Sequence, residues 1–318
     1  MKILITGVHG FVGSNLVAAL KQNNIIYGLD IVSFPKDGVE KTYSWDDIDN
    51  NKIPSVEAII HLAGKAHDTK NKSGADIYFR VNTDLTKKIF DFFSVHHEIK
   101  KFIFFSSVKA AVDKVPGDIL TEDVTPCPVG PYGESKVKAE EHILQRLKGS
   151  PELYNGRDVI ILRPCMIHGP GNKGNLNLLY GVISKGIPWP LGAFENKRTF
   201  TSIDNLSFVI EKLLSTDVQS GIYNISDDDA MSTNELIKVI CEAMGKKTRI
   251  WNLPSGLIKF GARIGDTLHL PLNTFRLDKL TENYVVSNKK IKEALNIEHM
   301  PVDARKGLTK TIKSFQNQ

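Results

Sequence analysis

Residues 1–20, MKILITGVHGFVGSNLVAAL, determine the fold class of this chain. The apolar run at residues 3–5 is typical of a short buried strand, and apolar residues recur at helical spacing over residues 16–20. Between them, Gly7, Gly10 and Gly13 form a Gly-x-x-Gly-x-x-Gly turn. Glycines at this spacing let the backbone and the start of a helix approach a pyrophosphate, so we predict that all three contact a dinucleotide. A glycine-rich turn with a purely structural role is the alternative.

Downstream of this turn, apolar runs alternate with segments of helical periodicity. The runs lie at residues 25–30, 56–62, 102–105 and 159–162, and the helical segments at residues 81–93 and 132–147. Continuous apolar strands that alternate with helices predict a parallel sheet covered on both faces. We therefore expect the α/β class, with the doubly wound parallel sheet of the Rossmann type.

The amino-acid composition of the sequence changes after Arg163. Residues 164–200 are rich in Gly, Pro and Asn, and two helical stretches follow near residues 204–215 and 232–244. We predict a cofactor-binding Rossmann domain at residues 1–163. Residues 164–318 are predicted to form a smaller, mostly substrate-binding part that is interleaved with the main sheet.

Composition excludes several classes of protein. The chain has 318 residues, 41% hydrophobic and 24% charged, which is ordinary for a globular protein. Its net charge of +5 is scattered rather than gathered in a basic stripe, so no nucleic-acid partner is expected. No apolar run reaches membrane-spanning length and no signal peptide is visible, so we expect a cytoplasmic location and no membrane partner. The three cysteines are far apart, and neither a metal site nor a disulfide is predicted.

The ends of two further strands predict contacts with the cofactor. Asp30 ends the second strand, 17 residues after Gly13. A carboxylate there accepts hydrogen bonds from the adenosine ribose and repels a 2′-phosphate, which favours NAD over NADP. An ordinary turn aspartate is the alternative. The segment Leu62-Ala63-Gly64 follows another strand and would let the backbone pass close to the cofactor.

The segment Pro131-Tyr132-Gly133-Glu134-Ser135-Lys136 carries a candidate proton-transfer pair. Tyr132 and Lys136 are four residues apart, so a helix places them on one face. A nearby ammonium favours the phenolate and lowers the pKa of a tyrosine, which suits the tyrosine to acid/base chemistry. An isolated pair of this kind is usually solvated. Here it follows the glycine turn and a strand that ends at Ser106-Ser107.

Together these motifs resemble the extended short-chain dehydrogenase/reductase family, and more narrowly its nucleotide-sugar epimerase/dehydratase branch. The resemblance runs over nearly the whole chain. The segments that carry it are Gly7 to Gly13 with Phe11, His61 to Gly64, Val81-Asn82, Phe105 to Ser107, Pro131 to Lys136, Leu162 to Pro164, Gly169 to Gly171, Lys197 to Phe200, and Ile203 to Leu206.

The resemblance implies a role for each matching residue. Tyr132 would be the acid/base, Lys136 would lower its pKa and bind the nicotinamide ribose, and Ser107 would hydrogen-bond the reacting oxygen. Further cofactor contacts are implied for Phe11, Asn82, Ser106 and Pro164.

Substrate contacts are also implied by the resemblance. Arg198 corresponds to an arginine that grips the nucleotide diphosphate, and Arg276 to a second one. Asn175-Leu176 would cradle the pyrophosphate or the base. Lys109 ends a Ser-Ser-x-Lys segment that is similar to the corresponding segment of enzymes that act at C4 of UDP-N-acetylhexoses, including 4-ketoreductases. For the two arginines and for Asn175-Leu176, a structural loop residue is the alternative.

Departures from the family pattern narrow the expected reaction. Dehydratases of this branch carry Thr-Asp-Glu where this chain has Ser107-Val108-Lys109, so water elimination is not expected. Met166 stands where many epimerases have a substrate-binding asparagine. The resemblance implies an NAD-dependent 4-epimerase of a UDP-hexose or UDP-N-acetylhexosamine, with an NAD(P)H-consuming 4-ketoreductase as the alternative. A non-enzymatic dinucleotide-binding regulator is a third possibility, disfavoured by the intact Ser107, Tyr132 and Lys136.

Family members usually form homodimers through a four-helix bundle made by the helix that bears the tyrosine and the helix before it. The resemblance therefore implies a homodimer. Phe90, Phe92 and Phe93 lie on the second of these helices and are candidates for the interface. Packing in the core of the protomer explains them equally well.

Overall fold

Seven parallel strands form the central sheet of this protein, seen here as a computed structural model that describes residues 1–65, 74–172, 174–268 and 273–316. Their order across the sheet is β3-β2-β1-β4-β5-β6-β9, and a small parallel pair is formed by β7 and β8. The strands are β1 (Lys2–Thr6), β2 (Ile25–Leu29), β3 (Lys41–Tyr43), β4 (Ala58–His61), β5 (Lys101–Phe105), β6 (Asp158–Pro164), β7 (Met166–His168), β8 (Phe200–Ser202) and β9 (Gly221–Ile225). The predicted doubly wound α/β fold is confirmed.

Helices cover the sheet and build the C-terminal part. They are α1 (Phe11–Leu20), α2 (Asp46–Asp49), α3 (Ala75–Tyr78), α4 (Leu85–Val95), α5 (Val108–Ala111), α6 (Pro131–Gly149), α7 (Asn175–Ser184), α8 (Ile203–Ser215), α9 (Thr233–Ala243), α10 (Ser255–Leu268), α11 (Thr274–Thr281), α12 (Lys289–Leu295) and α13 (Ala304–Phe315). A 3₁₀ turn spans Pro151–Tyr154. A π-helical segment, Phe79–Asp84, joins α3 to α4, whereas the sequence predicted one regular helix from residue 81.

Successive side chains of each strand point to opposite faces of the sheet, so the strands contribute to two cores, one on each face. Helices α1, α8 and α12 pack on the face that includes Ile3 and Ile5. Helices α4 and α6 pack on the opposite face, which includes Leu4 and Phe104. Both cores are continuous and apolar, which explains why the strands read as unbroken hydrophobic runs.

The phenylalanines considered for a dimer interface belong to the second of these cores. Phe90 and Phe93 are fully buried within the protomer, and Phe92 is nearly so. Of the two alternatives, packing in the core of the protomer is therefore the one that the structure supports.

A third apolar cluster lies in the C-terminal half of the chain. It is formed by α7, α9, α10, α11 and α13. By contrast, β9 pairs with β6 in the main sheet, and α8 and α12 pack on that sheet. The division into residues 1–163 and 164–318 stays a prediction. Within the described residues, no helix is long and apolar enough to cross a membrane.

Candidate active site

The glycine turn lies between β1 and α1 and packs against the end of β4. Gly7 has a φ of +68°, and a Cβ at this position would lie 2.9 Å from the backbone nitrogen of Ala63. A Cβ at Gly13 would lie 2.4 Å from the carbonyl oxygen of Gly7. Only glycine fits at either position. Gly10 caps α1 without a side-chain hydrogen bond, so backbone N–H groups are presented at the helix start, as pyrophosphate binding requires.

Asp30 follows β2 and faces the same turn. Its Oδ2 accepts a hydrogen bond of 3.0 Å from the backbone N–H of His9, inside the Gly7–Gly13 segment. The carboxylate is thereby held beside the turn at the carboxyl edge of the sheet. Its position fits the predicted contact with the adenosine ribose.

Thr6 and Gly64 organise the end of β4. The Thr6 hydroxyl oxygen accepts hydrogen bonds from the N–H groups of Leu62 at 3.1 Å and Ala63 at 2.9 Å. A Cβ at Gly64 would lie 3.0 Å from Asn82 Oδ1 and 3.2 Å from Lys136 Nζ. The absence of a side chain at Gly64 therefore brings this segment close to Lys136, and its predicted contact with the cofactor stays a prediction.

Asn82 lies in the π-helical segment, a kind of irregularity that is common at functional sites. It is fully buried, and its Oδ1 accepts a hydrogen bond of 2.7 Å from the Lys65 N–H. Its Nδ2 donates to Ser135 Oγ at 2.9 Å and to the Lys65 carbonyl at 3.2 Å. Asn82 therefore ties the loop after β4 to α6, and its predicted contact with the cofactor stays a prediction.

Tyr132 and Ser107 are brought together by close packing of α6 on α5. Pro131 is the first residue of α6, where its missing N–H costs nothing. A Cβ at Gly133 would lie 2.5 Å from the Lys109 carbonyl oxygen, so only glycine allows this approach. The Ser107 and Tyr132 side chains are hydrogen-bonded to each other.

The pKa of Tyr132 is raised above its ordinary value, because burial disfavours the phenolate and outweighs the hydrogen bond with Ser107. The role predicted for Lys136, which is to lower the pKa of Tyr132, stays a prediction. Burial also lowers the pKa of Lys136 to about 8, against the opposing charge of Glu140. The Lys136 ammonium donates a hydrogen bond of 2.8 Å to the Phe105 carbonyl.

Glu140 and Arg163 form a buried network that the sequence analysis did not identify. Glu140 accepts hydrogen bonds from Ser106 Oγ and from Arg163 Nε, the latter at 2.9 Å. Because the Ser106 hydroxyl is used in this way, its predicted contact with the cofactor stays a prediction. The sequence does contain an indication of this network, because Glu140 lies one helical turn after Lys136 on α6. Arg163 and Pro164 end β6, and both are buried.

A partly buried cluster of five charged residues lies beyond Ser107. Lys109 Nζ contacts Asp113 Oδ1 at 3.1 Å and lies 4.3 Å from the centre of the Tyr284 ring. Lys279 Nζ contacts both Asp113 oxygens at 3.0 Å. Arg198 donates to the Lys279 carbonyl at 2.8 Å and to Glu282 at 3.4 Å. Burial lowers the pKa of Lys109, and the charge of Lys279 lowers it further.

The other predicted substrate residues are less well placed. Arg276 is exposed on α11, whereas the main-chain carbonyl of Lys279, three residues later, accepts a hydrogen bond from Arg198. Asn175 is exposed at the start of α7. The Leu176 side chain is 1% exposed and belongs to the C-terminal core, so only its main chain is available to a substrate. Met166 is exposed on β7.

No group of three His, Cys, Asp or Glu side chains with a geometry suited to a metal ion occurs in the part of the chain that the structure describes. The polar groups that the structure gathers at the site are the hydroxyls of Tyr132 and Ser107 and the ammonium of Lys136. The glycine turn and Asp30 lie at the same edge of the sheet.

Comparisons with known proteins agree with this arrangement. The profile of the NAD dependent epimerase/dehydratase family matches residues 3–226. A UDP-glucose 4-epimerase of Vibrio cholerae is 30% identical over 98% of this chain and 95% of its own length. The N-acetyl-alpha-D-glucosaminyl-diphospho-ditrans,octacis-undecaprenol 4-epimerase of Escherichia coli O157:H7 is 26% identical over 92% of this chain and 84% of its own length.

Solved structures show the same fold. The UDP-N-acetylglucosamine 4-epimerase from Bacillus cereus superposes with a TM-score of 0.76 at 20% identity, covering 100% of both chains. The UDP-glucuronic acid 4-epimerase from Bacillus cereus, in complex with NAD, gives a TM-score of 0.74 at 20% identity and covers 100% of this chain and 99% of that one. The expectations of an enzyme and of NAD as its cofactor are confirmed, and the chain belongs to the NAD-dependent epimerase/dehydratase family of extended short-chain dehydrogenases/reductases.

Proposed function

We propose that this protein is an NAD-dependent 4-epimerase of a UDP-hexose or UDP-N-acetylhexosamine. The observation that carries the proposal is the hydrogen bond between Ser107 and Tyr132, with Lys136 one turn further along α6. The three side chains lie at the carboxyl edge of the sheet, next to the loop at Gly64. In an open α/β sheet, this edge is where ligands bind.

The reaction assigns one task to each side chain. Ser107 holds the C4 oxygen of the sugar, and Tyr132 takes the proton from that oxygen as the carbonyl forms. NAD, when bound at the glycine turn, would supply a reversible acceptor for the C4 hydride. The keto sugar turns within the site, Tyr132 gives its proton back to the oxygen, and the configuration at C4 is inverted with no net oxidation. Tyr132 must be a phenolate to take this proton, and the positive charge of Lys136 favours that form.

The residues after Ser107 argue against dehydration. Val108 is buried, and the Lys109 ammonium is engaged by Asp113 and the Tyr284 ring. Neither can supply the paired acid and base that removal of water requires. Chemistry confined to C4 is therefore the reaction that these side chains support.

A 4-ketoreductase is the second candidate, and Lys109 is the residue that favours it. The segment with a lysine after the serine pair resembles the corresponding segment of enzymes that reduce 4-keto sugars. Such an enzyme would perform only the second half of the cycle and would consume one reduced cofactor per turnover. Asp30 supports the epimerase, because a redox-neutral cycle uses NAD rather than NADP.

The diphosphate carrier is a further part of the proposal. Arg198 and Lys279 provide two cations beside the site, and guanidinium groups suit phosphate oxygens. UDP is the carrier named for the Vibrio cholerae relative, whereas the Escherichia coli relative is named for a sugar diphosphate on undecaprenol. We propose UDP as the first choice, and a homodimer as the assembly.

The test is incubation of the purified protein with UDP-GlcNAc, UDP-GalNAc, UDP-glucose or UDP-galactose, without added reductant, followed by chromatographic separation. The expected result is the same final ratio of the two C4 epimers from either starting sugar. Tyr132→Phe should abolish it, whereas Tyr27→Phe, on β2, should not. Consumption of NAD(P)H with a UDP-4-keto-6-deoxy sugar, without interconversion, would instead establish the ketoreductase.

A further inference from the structure

Helix α10 has two apolar faces, and within the described part of the chain only one of them is packed against other elements. Ile258, Ala262 and Gly265 face the C-terminal core and are buried. A second set is exposed to solvent, namely Leu257 at 60%, Phe260 at 61%, Ile264 at 41% and Leu268 at 63%. At about 100° per residue, these four side chains lie within about 80° of the helix circumference. We refer to them as the α10 apolar face.

Two more exposed aromatic residues adjoin this helix in the chain. Trp251, just before α10, is 55% exposed, and Phe275, on α11 packed against α10, is 67% exposed. Single exposed apolar side chains are common on protein surfaces, but a continuous stripe is typical of an interaction site. The α10 apolar face is therefore a surface that a partner would cover.

Basic side chains border the apolar face. Lys259 and Arg263 are exposed and lie on the side of α10 between its buried and apolar faces. Asp266 lies on that same side, but its carboxylate accepts hydrogen bonds from the N–H and hydroxyl of Thr274. Thr274 is uncharged, so this side of α10 carries two positive charges and one negative charge and is positive on balance. Leu, Phe and Trp beside Lys and Arg are the composition of helices that lie in the headgroup region of anionic membranes.

We propose that the α10 apolar face docks the enzyme onto an anionic lipid surface, with Leu257, Phe260, Ile264 and Leu268 inserted among the acyl chains and with Lys259 and Arg263 against lipid phosphates. This goes beyond the proposed function, because it holds whichever sugar is the substrate. It also differs from the expectation of no membrane partner, which depended on the lack of a spanning segment. A helix that lies on the surface needs no such segment.

Charge favours a lipid surface over a second copy of the chain. In a twofold contact the same patch faces itself, so the sides of α10 that are positive on balance would face each other. Repulsion between like charges opposes such an association. An anionic surface instead neutralises both side chains.

The test is co-sedimentation of the full-length protein with vesicles of phosphatidylcholine, with or without one third phosphatidylglycerol. Binding is expected to the anionic vesicles and to weaken with added salt. The variant Phe260→Ser/Ile264→Ser should lower the partition coefficient by at least about tenfold. Lys259→Glu/Arg263→Glu should lower it by about tenfold and remove the salt dependence. The matched controls Val95→Ser and Lys148→Glu, both exposed elsewhere, should bind as the wild type does.

Three results would overturn the proposal. They are no sedimentation with either vesicle, equal binding by the wild type and Phe260→Ser/Ile264→Ser, or a dimer in analytical ultracentrifugation that this variant converts to monomers in the absence of lipid. Circular dichroism and the thermal midpoint should match the wild type, because the altered side chains are exposed. Epimerase activity on a soluble nucleotide sugar should be unchanged in the variants, so failure of the proposed function would be seen separately.

Discussion

Arg163 and Glu140 form a bidentate ion pair that is almost inaccessible to solvent. Arg163 Nε and Nη2 donate to the two carboxylate oxygens of Glu140 at 2.9 and 2.5 Å. Glu140 also accepts the hydroxyl of Ser106, and its negative charge counteracts the effect of burial on the pKa of Lys136. The pair thus connects the end of β6, the end of β5 and the helix that bears Tyr132.

Replacement of Glu140 by Gln should therefore affect both stability and catalysis. The charge of Arg163 would remain buried without its partner, which costs about 3–5 kcal/mol of unfolding free energy. The pKa of Lys136 should fall below about 8, because an attractive charge is removed. Urea unfolding and the alkaline limb of the activity profile measure the two effects. Glu141→Gln, on the exposed side of α6, is the matched control, and equal stability of both variants would contradict the assignment.

The buried Lys136 is expected to lower the unfolding free energy of the protein, although the proposed reaction requires it. Its pKa is about 8 in the folded protein, whereas an unperturbed lysine, as in an unfolded chain, has a pKa of 10.5. Below pH 8 both states are protonated and the folded state carries the full penalty, on the order of 3 kcal/mol. Between pH 8 and 10.5 the unfolded state binds more protons, so this penalty disappears as the pH rises.

Lys136→Met should consequently abolish epimerisation while its stability relative to the wild type falls with rising pH. The measurement is the difference in unfolding free energy between variant and wild type from pH 7 upward. Lys138→Met, exposed on the same helix, should show no such change. A difference that stays constant across this range would show that Lys136 is not desolvated.

His61 is buried and should make the protein sensitive to acid. Its Nδ1 lies 2.7 Å from Thr6 Oγ1, its Nε2 lies 2.9 Å from Thr86 Oγ1, and Thr86 donates to the Asn82 carbonyl. Since the Thr86 hydroxyl already donates its proton, it accepts from Nε2–H of His61. The Thr6 oxygen already accepts two backbone N–H groups, so its hydroxyl donates to Nδ1, and the ring is neutral. Burial and the charge of Lys136 hold the pKa of His61 well below its ordinary value.

Because the unfolded state protonates first, stability is lost as the pH falls below 6.5, by about 1.4 kcal/mol per pH unit until the folded pKa is reached. His61→Gln should unfold more easily at pH 7 but lose less stability on acidification. Thermal unfolding of both proteins between pH 7 and pH 5 provides the comparison. Parallel pH dependences would mean that other groups account for the acid sensitivity.

Lys279, rather than Arg276, is expected to assist Arg198 at the diphosphate. Loss of a hydrogen bond to a charged group costs about 1.5–3 kcal/mol, so Arg198→Ala and Lys279→Ala should each raise the KM for the nucleotide sugar by about 10- to 100-fold. Arg276→Ala should change it little, because Arg276 is exposed on α11. The Kd for NAD should be unchanged in all three. A large KM effect confined to Arg276→Ala would restore the sequence-based assignment.

The parts of the site that the sequence predicted are those encoded by local patterns. The turn at Gly7, the end of β2 at Asp30 and the helical spacing of Tyr132 and Lys136 can each be read within about one element. The structure places them at one edge of the sheet because the carboxyl ends of parallel strands meet there.

The parts that the sequence missed depend on tertiary contacts. Asp113 and Lys279 are 166 residues apart in the chain yet 3.0 Å apart in space, and no local pattern marks their pairing. The raised pKa of Tyr132 has the same origin, since it is caused by burial and burial is set by packing. The burial of Leu176 and Phe90 also shows that the sequence does not reveal which surface an apolar residue will face.

Asp30 should decide the choice between NAD and NADP. Its carboxylate is held by the His9 N–H at 3.0 Å, beside the turn that receives the pyrophosphate. Asp30→Asn keeps a hydrogen-bond acceptor of the same size but removes the charge that repels a 2′-phosphate. We expect the Kd for NAD to rise by about 10-fold, through loss of a charge-assisted hydrogen bond, and the Kd for NADP to fall. Titration of both cofactors by isothermal calorimetry tests this, with Asp37→Asn on the exposed surface as the control. Unchanged affinities would leave Asp30 with only its structural bond to His9, and the preference for NAD would then need another origin.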